Sequence, residues 1–435
     1  LSFSVLNFLA LTIFLLGTYL IWFDKRNIVN HFGIGACFVA YLVPICVVDF
    51  SQYQSKSILS LYTLINTVGA LSYVIGLYIG SKVYRIKFLD VFLKFNLFAT
   101  TLSNVEVQNR LKKIIYYVYL SGIVGIIISY LIMGFLPIFA ADPFAAKFFK
   151  GAYQAPYHRV AYIYRTSRQF VEIGLPLVCL EVISRRKIKD IVFLVLGVLL
   201  IVASLNRSTM LAGILLAMSI VISLKKRNTP FVIYVIFLLL TVVSGSALYY
   251  IITMFSSQNG FSDYQLGSNF FEAIAFGSPD ITDQLNFLAR FENGKYELTY
   301  GLTYWGGLIP FNYKYNPSSW TLYILNDTND ISEISSGGLR IPVSLWGYTS
   351  FGWFGVVLLP FISALFTGYI VRRYKIIINS LPYGKESYLQ FFFIIFVFMN
   401  IAGIFMNFYL LSIYSLPSIV IYYIIIRNLK SSTLK

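Results

Sequence analysis

Charge is scarce in this chain. Of its 435 residues only 12% are Asp, Glu, Lys or Arg, and 58% are hydrophobic, whereas a soluble globular chain carries about 25% charged residues. That deficit excludes a soluble enzyme. It excludes disorder as well, because chains that stay unfolded are poor in apolar residues and rich in charge. Histidine is nearly missing: His31 and His158 are the only two, too few for a metal site built on several imidazoles. The three cysteines, Cys37, Cys46 and Cys179, lie in apolar stretches and form neither a CxxC pair nor a disulfide framework. The one cluster of acids, Asp327-Thr-Asn-Asp330-Ile-Ser-Glu333, lacks the spacing of a cation loop. A glycine-rich phosphate loop is also lacking, so no cofactor and no metal are expected.

Long apolar runs are what the sequence has in plenty. A bilayer core of about 30 Å needs about 20 apolar helical residues. That rule marks spans at 2–23, 29–49, 57–80, 114–137, 160–182, 188–204, 209–224, 230–253, 347–370, 388–409 and 411–427. The expected fold is therefore an all-α polytopic integral membrane protein of about 11 transmembrane helices, a single transmembrane domain over 1–435. The run from Ser2 to Trp22 is long enough to span and has no basic stretch before it, so a retained first helix is expected rather than a cleaved leader.

The net charge of +16 sorts by side. Of the 34 Lys+Arg, 23 fall in loops on one side with 6 of the 18 acids, which makes that side +17 and leaves the other at −1. Positive charge marks the cytoplasmic side, so the C-terminus is expected inside and the N-terminus outside. The basic excess is then an insertion signal, and no nucleic-acid partner is expected.

One connection is long. Residues 254–346 make a 93-residue extracytoplasmic loop with nine acidic and four basic residues, and a loop of that length is usually functional or disordered. Ser278-Pro279-Asp280 is a helix start, Ile281, Leu285 and Leu288 share a face, and Gly294 closes the helix. Trp305 and Trp320, mid-loop, are candidates to stack on sugar rings. Trp346 and Trp353 are expected in an interfacial belt.

Some charges stand where a bilayer penalises them. In the fifth span Arg165, Arg168 and Glu172 are three and four residues apart, hence on one helical face, at roughly 8, 12 and 18 Å from the outer end. Each costs a few kcal/mol unless it meets a partner or a wet cavity. An internal Arg168–Glu172 pair would still leave Arg165 as net positive charge. Arg207 lies between two short spans, so it is expected recessed below the outer surface. Arg290 falls on the loop helix, His158-Arg159 stands at the mouth of the fifth span, and Arg340 follows Gly337-Gly338, where the backbone could approach a ligand closely. Arginines on one side suit planar, bidentate contacts to phosphate, so a pyrophosphate-bearing lipid is the expected ligand.

The segments GFLPIFAAD (Gly134 to Asp142), SLNRSTMLAGILL and GGLRIPVSLWGYTSFGWFGVVLLPF, together with the span count and the late outer loop, resemble the O-antigen and capsular polysaccharide polymerase (Wzy-type) family of bacteria. The resemblance implies a multi-span lipid-donor glycosyltransferase with a GT-C-like fold in the bacterial cytoplasmic membrane. It implies transfer of a growing undecaprenyl-pyrophosphate-linked glycan onto a lipid-linked oligosaccharide repeat unit at the outer face. The partners it implies are that lipid-linked oligosaccharide, membrane lipid and, further off, a chain-length regulator and a flippase. On this reading Arg159, Arg165, Arg168, Arg207, Arg290 and Arg340 bind pyrophosphate and glycan, with Trp305 and Trp320 against sugars. The base comes from His158, Glu172, Asp142 or Asp283, with His158 and Glu172 preferred. An O-antigen ligase-like transferase and a lipid-linked oligosaccharide flippase stay open as alternatives.

Overall fold

The computed structural model describes residues 3–22, 54–87, 89–90, 102, 104–205, 207–226, 281–294, 296–306, 313–328, 338–339, 341–396 and 416–433, with isolated positions at 26, 46, 229, 233 and 308. The spans expected at 29–49 and 230–253, the later half of that at 388–409, and Arg340 lie outside the described residues. Among the described residues every regular element is helical and none is a strand. Among the described residues three helices are long and apolar enough to cross a membrane: α2 (Lys56–Lys82), α3 (Val105–Met133, its apolar run continuing to Phe139) and α12 (Val343–Ser380).

Around these three lie α1 (Phe3–Trp22), the short α4 (Pro143–Phe148) and α5 (Gln154–His158), α6 (Ala161–Arg185), α7 (Ile188–Ala203), α8 (Arg207–Ser223) and α13 (Leu416–Thr433). Between α8 and α12 the chain forms α9 (Ile281–Asn293), α10 (Leu302–Trp305) and α11 (Pro317–Asn326). Several spans run past the ends that hydropathy marks. The helix α3 begins at Val105 rather than 114, because Asn104 caps it by accepting from the Glu106 amide at 2.8 Å, and Glu106 suits the positive end of the helix dipole. It stops at Gly134, whose φ of +73° ends the helix in the left-handed region.

Small residues let the long helices touch through their backbones. A Cβ on Gly76 would stand 2.4 Å from the Phe361 carbonyl oxygen, and one on Gly80 would stand 2.0 Å from that of Leu365. This Gly-x-x-x-Gly face runs α2 parallel to α12 at a separation no larger side chain allows. Gly122 and Gly125 of α3 likewise admit Ser167 of α6. At the far end of α12, Arg26 donates to the carbonyls of Ile378 (2.8 Å), Asn379 (3.1 Å) and Leu381 (2.8 Å), and its guanidinium covers the Tyr383 ring at 4.0 Å. These carbonyls lack helical partners of their own, so the arginine closes the helix end.

A second core sits at the end that carries Lys56 and Val343. Ile281, Leu285, Phe287 and Leu288 of α9 pack on Ile58, Tyr62 and Ile65 of α2, on Trp320 of α11 and on Leu345 and Trp346 of α12. The expected face of α9 is thus the buried one. Buried polar contacts fix the register: Tyr62 donates to Gln284 at 2.6 Å and Ser344 to Asn66 at 2.7 Å. The first helical stretch of α12, 343–350, is separated from the rest by a break at Phe351 and Gly352, where Gly352 has φ +62°. It folds back so that Gly347 and Gly355 meet backbone to backbone. The amides of Thr299 and Tyr300 donate, each at 3.0 Å, to the Thr349 and Ser350 carbonyls left open by the break.

This core corrects three expectations. Trp346 is 2% exposed and Trp320 6%, with ring centroids 5.9 Å apart. Trp346 therefore fills an interior instead of a lipid interface, and Trp320 has no free face for a sugar. Gly338 (φ +92°) takes its close approach against Ser318 of α11, where a Cβ would lie 2.5 Å from Cα, so its glycine serves packing.

Candidate functional site

The site is assembled by α3, α6 and α7. Helices α3 and α6 run antiparallel, with Lys112 on Glu181 at one end (2.5 Å) and the Tyr130 and Tyr164 rings together at the other (5.9 Å). Helix α7 runs parallel to α3 and is tied to it by tyrosines. Tyr116 donates to the Asp190 carboxylate at 3.2 Å, Tyr119 to the Phe193 carbonyl at 2.8 Å and Tyr130 to the Leu200 carbonyl at 3.1 Å. Gly197 leaves the room that the Tyr119 hydroxyl occupies. Glu181 is balanced by Lys112 and by Arg185 at 3.4 Å. The charges near the other end of α6 are Arg165, Arg168 and Glu172.

There Arg168 and Glu172 pair one turn apart, Nε to Oε1 at 3.0 Å, with side chains 35% and 29% exposed. The same two atoms are buried and lack a directed hydrogen bond. The short distance and the poor alignment together describe a charge contact, which holds the carboxylate beside the guanidinium while leaving the other guanidinium nitrogens to be directed elsewhere. Three residues earlier, Arg165 donates through Nε to the Tyr157 hydroxyl, and its guanidinium lies 5.4 Å from that ring's centre. Tyr157 is stacked on Phe149 at 3.8 Å and 8°, and Phe149 meets Tyr164 edge-on at 5.3 Å. An aromatic wall of Tyr130, Tyr164, Phe149 and Tyr157 thus backs the two arginines.

Several other candidates gather near this wall. His158 and Arg159 are exposed where α5 ends, with the His158 ring 5.9 Å from that of Tyr157. Asp142 is occupied in shaping the chain, since its carboxylate accepts from the Ala145 amide at 2.9 Å and so caps α4, and its own amide donates to the Tyr153 hydroxyl at 3.1 Å. Arg207 is the first residue of α8; its side chain, like Arg340, is outside the described residues.

The remaining candidates lie on the helices α9 and α10. Arg290 is on the exposed side of α9, Asp283 is in its first turn, and Trp305 is 58% exposed on α10. Nearby, the Tyr296 phenol is pushed up by its 2.6 Å hydrogen bond to Asp327. No group of three or more metal-ligating side chains stands together among the described residues.

Sequence reasoning missed the tyrosines. With 34 of them in the chain, nothing in spacing singles out Tyr130 or Tyr157; only the antiparallel packing of α3 on α6 and the return of the chain through α4 and α5 bring them to the arginines. No family model, curated protein or solved structure matches the chain. Two guanidinium groups, a carboxylate and a set of phenols, partly buried in an apolar bundle, suit an anionic group.

Proposed function

We propose that the chain is a lipid-donor glycosyltransferase of the polysaccharide-polymerase kind, resident in the bacterial cytoplasmic membrane with about eleven spans, its N-terminus outside and its C-terminus in the cytoplasm. The α6 charges and the 254–346 loop then face outward. It moves a growing glycan from undecaprenyl pyrophosphate onto a lipid-linked repeat unit. The observation that carries this reading is the pair Arg165 and Arg168, placed on one face of α6 and held there by the Tyr157 hydroxyl and by Glu172. Guanidinium groups so placed in an apolar bundle suit an anionic ligand.

In the reaction, the acceptor hydroxyl oxygen attacks the anomeric carbon of the donor glycan. The bond from that carbon to the pyrophosphate oxygen breaks, its electron pair leaves with the pyrophosphate, and the hydroxyl proton passes to a base. Arg165 and Arg168 stabilise the charge that grows on the leaving oxygen, with Arg159, Arg207 and Arg340 contributing to binding. Glu172 holds Arg168 in place. The base is Glu172 itself or His158, which stands at the exposed mouth.

The test is the length distribution of polysaccharide in cells that depend on this chain. Arg165→Ala and Arg168→Ala should each leave single repeat units and no ladder. An unaltered ladder in both variants at normal protein level would remove the assignment. The two candidate bases separate by substitution: if His158 is the base, His158→Gln abolishes chain extension at normal protein level while Glu172→Gln leaves a shortened ladder.

A further inference from the structure

The segment 254–346 contains a long stretch without charge. Between Glu297 and Lys314 the sixteen residues LTYGLTYWGGLIPFNY hold five aromatic rings and no Asp, Glu, Lys or Arg. The helix α10 lies inside this stretch. Its inner side is packed: Thr303 is buried, and Gly306 backs onto Tyr315, where a Cβ would stand 2.0 Å from the carbonyl oxygen. Its other side carries Leu302, Trp305 and Leu308, three residues apart and all exposed, and Tyr300 just before them is exposed as well. The Leu308 amide donates to the Trp305 carbonyl at 2.9 Å, which carries the stripe past the end of the helix. Apolar side chains exposed singly are ordinary on a wet surface, whereas a contiguous stripe with no charge in it marks a surface of contact.

The height of the stripe says what it meets. Hydrogen bonds from the Thr299 and Tyr300 amides hold α10 to the Thr349 and Ser350 carbonyls, and Gly301, with φ +82°, lets the chain come up to the Phe351 ring. The helix α10 is therefore fixed at the break in α12. From that break to Arg372 the residues 353–371 carry no charge, and as helix they rise about 28 Å, close to the thickness of a bilayer core. The break thus stands at one edge of the hydrocarbon, with Arg372 and Arg373 at the other. Trp353, Phe354 and Val357 are exposed at that edge, as the lipid-facing end of a span requires. The stripe on α10 and this end of the span share one level, the level at which Trp and Tyr settle among headgroups.

We propose that α10 is an interfacial membrane anchor. Leu302, Trp305 and Leu308 rest in the headgroup and upper acyl region of the leaflet that α12 enters, with Tyr300 at its surface, and the partner of this face is the lipid surface itself. The anchor ties the second core to the bilayer at a point outside the spans and keeps the Trp305 ring in lipid instead of against a sugar. It requires a bilayer around α12 and no particular chemistry at α6.

The test uses the full chain in vesicles of phosphatidylglycerol and phosphatidylethanolamine, mixed with a phosphatidylcholine brominated either near the headgroup end of its acyl chains or near the bilayer centre. Emission that disappears in Trp305→Phe belongs to Trp305, and a ring-for-ring change at an exposed position leaves the fold in place. That emission should be quenched about twofold more by the shallow bromines than by the deep ones, and little by aqueous iodide. Leu302→Asp, which puts a charge into the stripe, should lower the shallow quenching about twofold. Quenching by iodide with none from either brominated lipid would overturn the proposal and leave Trp305 facing water, open to a sugar. Stronger quenching by the deep bromines would overturn it as well, because the ring would then lie in the hydrocarbon core. Shallow quenching unchanged by Leu302→Asp would take the stripe out of the contact and overturn the anchor.

Discussion

Arg168 and Glu172 face each other at 3.0 Å on side chains about one-third exposed. A pair that wet contributes about 1 kcal/mol or less to stability, whereas a guanidinium that meets developing charge on a leaving group is worth about 100-fold in rate. Arg168→Ala should therefore leave the thermal unfolding midpoint in detergent nearly unchanged while chain extension falls by about 100-fold. The triplet Arg165, Arg168 and Glu172 was legible in the sequence, because charges three and four apart inside an apolar run can only be one helical face. Their partner Tyr157 was not, since its placement depends on how α4 and α5 turn the chain back. Asp90 carries a separate expectation. Burial works to raise its carboxyl, but hydrogen bonds from Tyr369 (2.6 Å) and Arg373 (3.1 Å), the Arg373 charge and Arg85 outweigh burial and hold it below the usual carboxylate range. A depressed carboxyl stabilises the fold fully above its unfolded pKa of about 3.9 and loses that contribution as pH falls through the folded value. Asp90→Asn should thus lower the unfolding midpoint at pH 7, with the gap to the natural chain closing as the pH falls below about 4.

At the scale of elements, the contact of α2 with α12 rests on glycines. Gly80→Val would place atoms where the Leu365 carbonyl now lies, and the forced separation should cost about 1–3 kcal/mol. Thermal unfolding of the detergent-solubilised protein would register it as a lowered midpoint, and an unchanged midpoint would contradict the packing. Gly352 is a second such point: its φ of +62° with ψ of −148° is a combination essentially confined to glycine. Gly352→Ala should destabilise the fold-back of 343–350 by about 1–3 kcal/mol. Hydropathy located the apolar runs but not this break, because residues on both sides of it, 343–371, carry no charge and the turn is written in a single glycine. Nor could it distinguish Trp346, which fills the second core, from Trp353, which is 46% exposed. Both are tryptophans at the mouth of an apolar helix, and only the docking of α9 and α11 separates them.

For the molecule as a whole, the sequence made the helical class and the membrane setting plain, since charge is too scarce for a soluble surface and the apolar runs have the length of spans. The second core was only half visible: the amphipathic face of α9 was read correctly, whereas its partner surface on α2 lies more than 200 residues earlier in the chain. The helices α9 to α11 are expected on the outer side of the membrane. A phosphatase reporter fused after Asn293 should be active only outside the cytoplasm, and activity there is expected; a cytoplasmic signal would detach the site from an outward-facing substrate. The central claim, that this chain joins lipid-linked repeat units, meets its most direct test with purified protein and repeat units on undecaprenyl pyrophosphate, resolved by length. A ladder of products with release of undecaprenyl pyrophosphate is expected, absent with Arg168→Ala. Repeat units that stay single, or that only change leaflet when the protein is placed in vesicles, would contradict it.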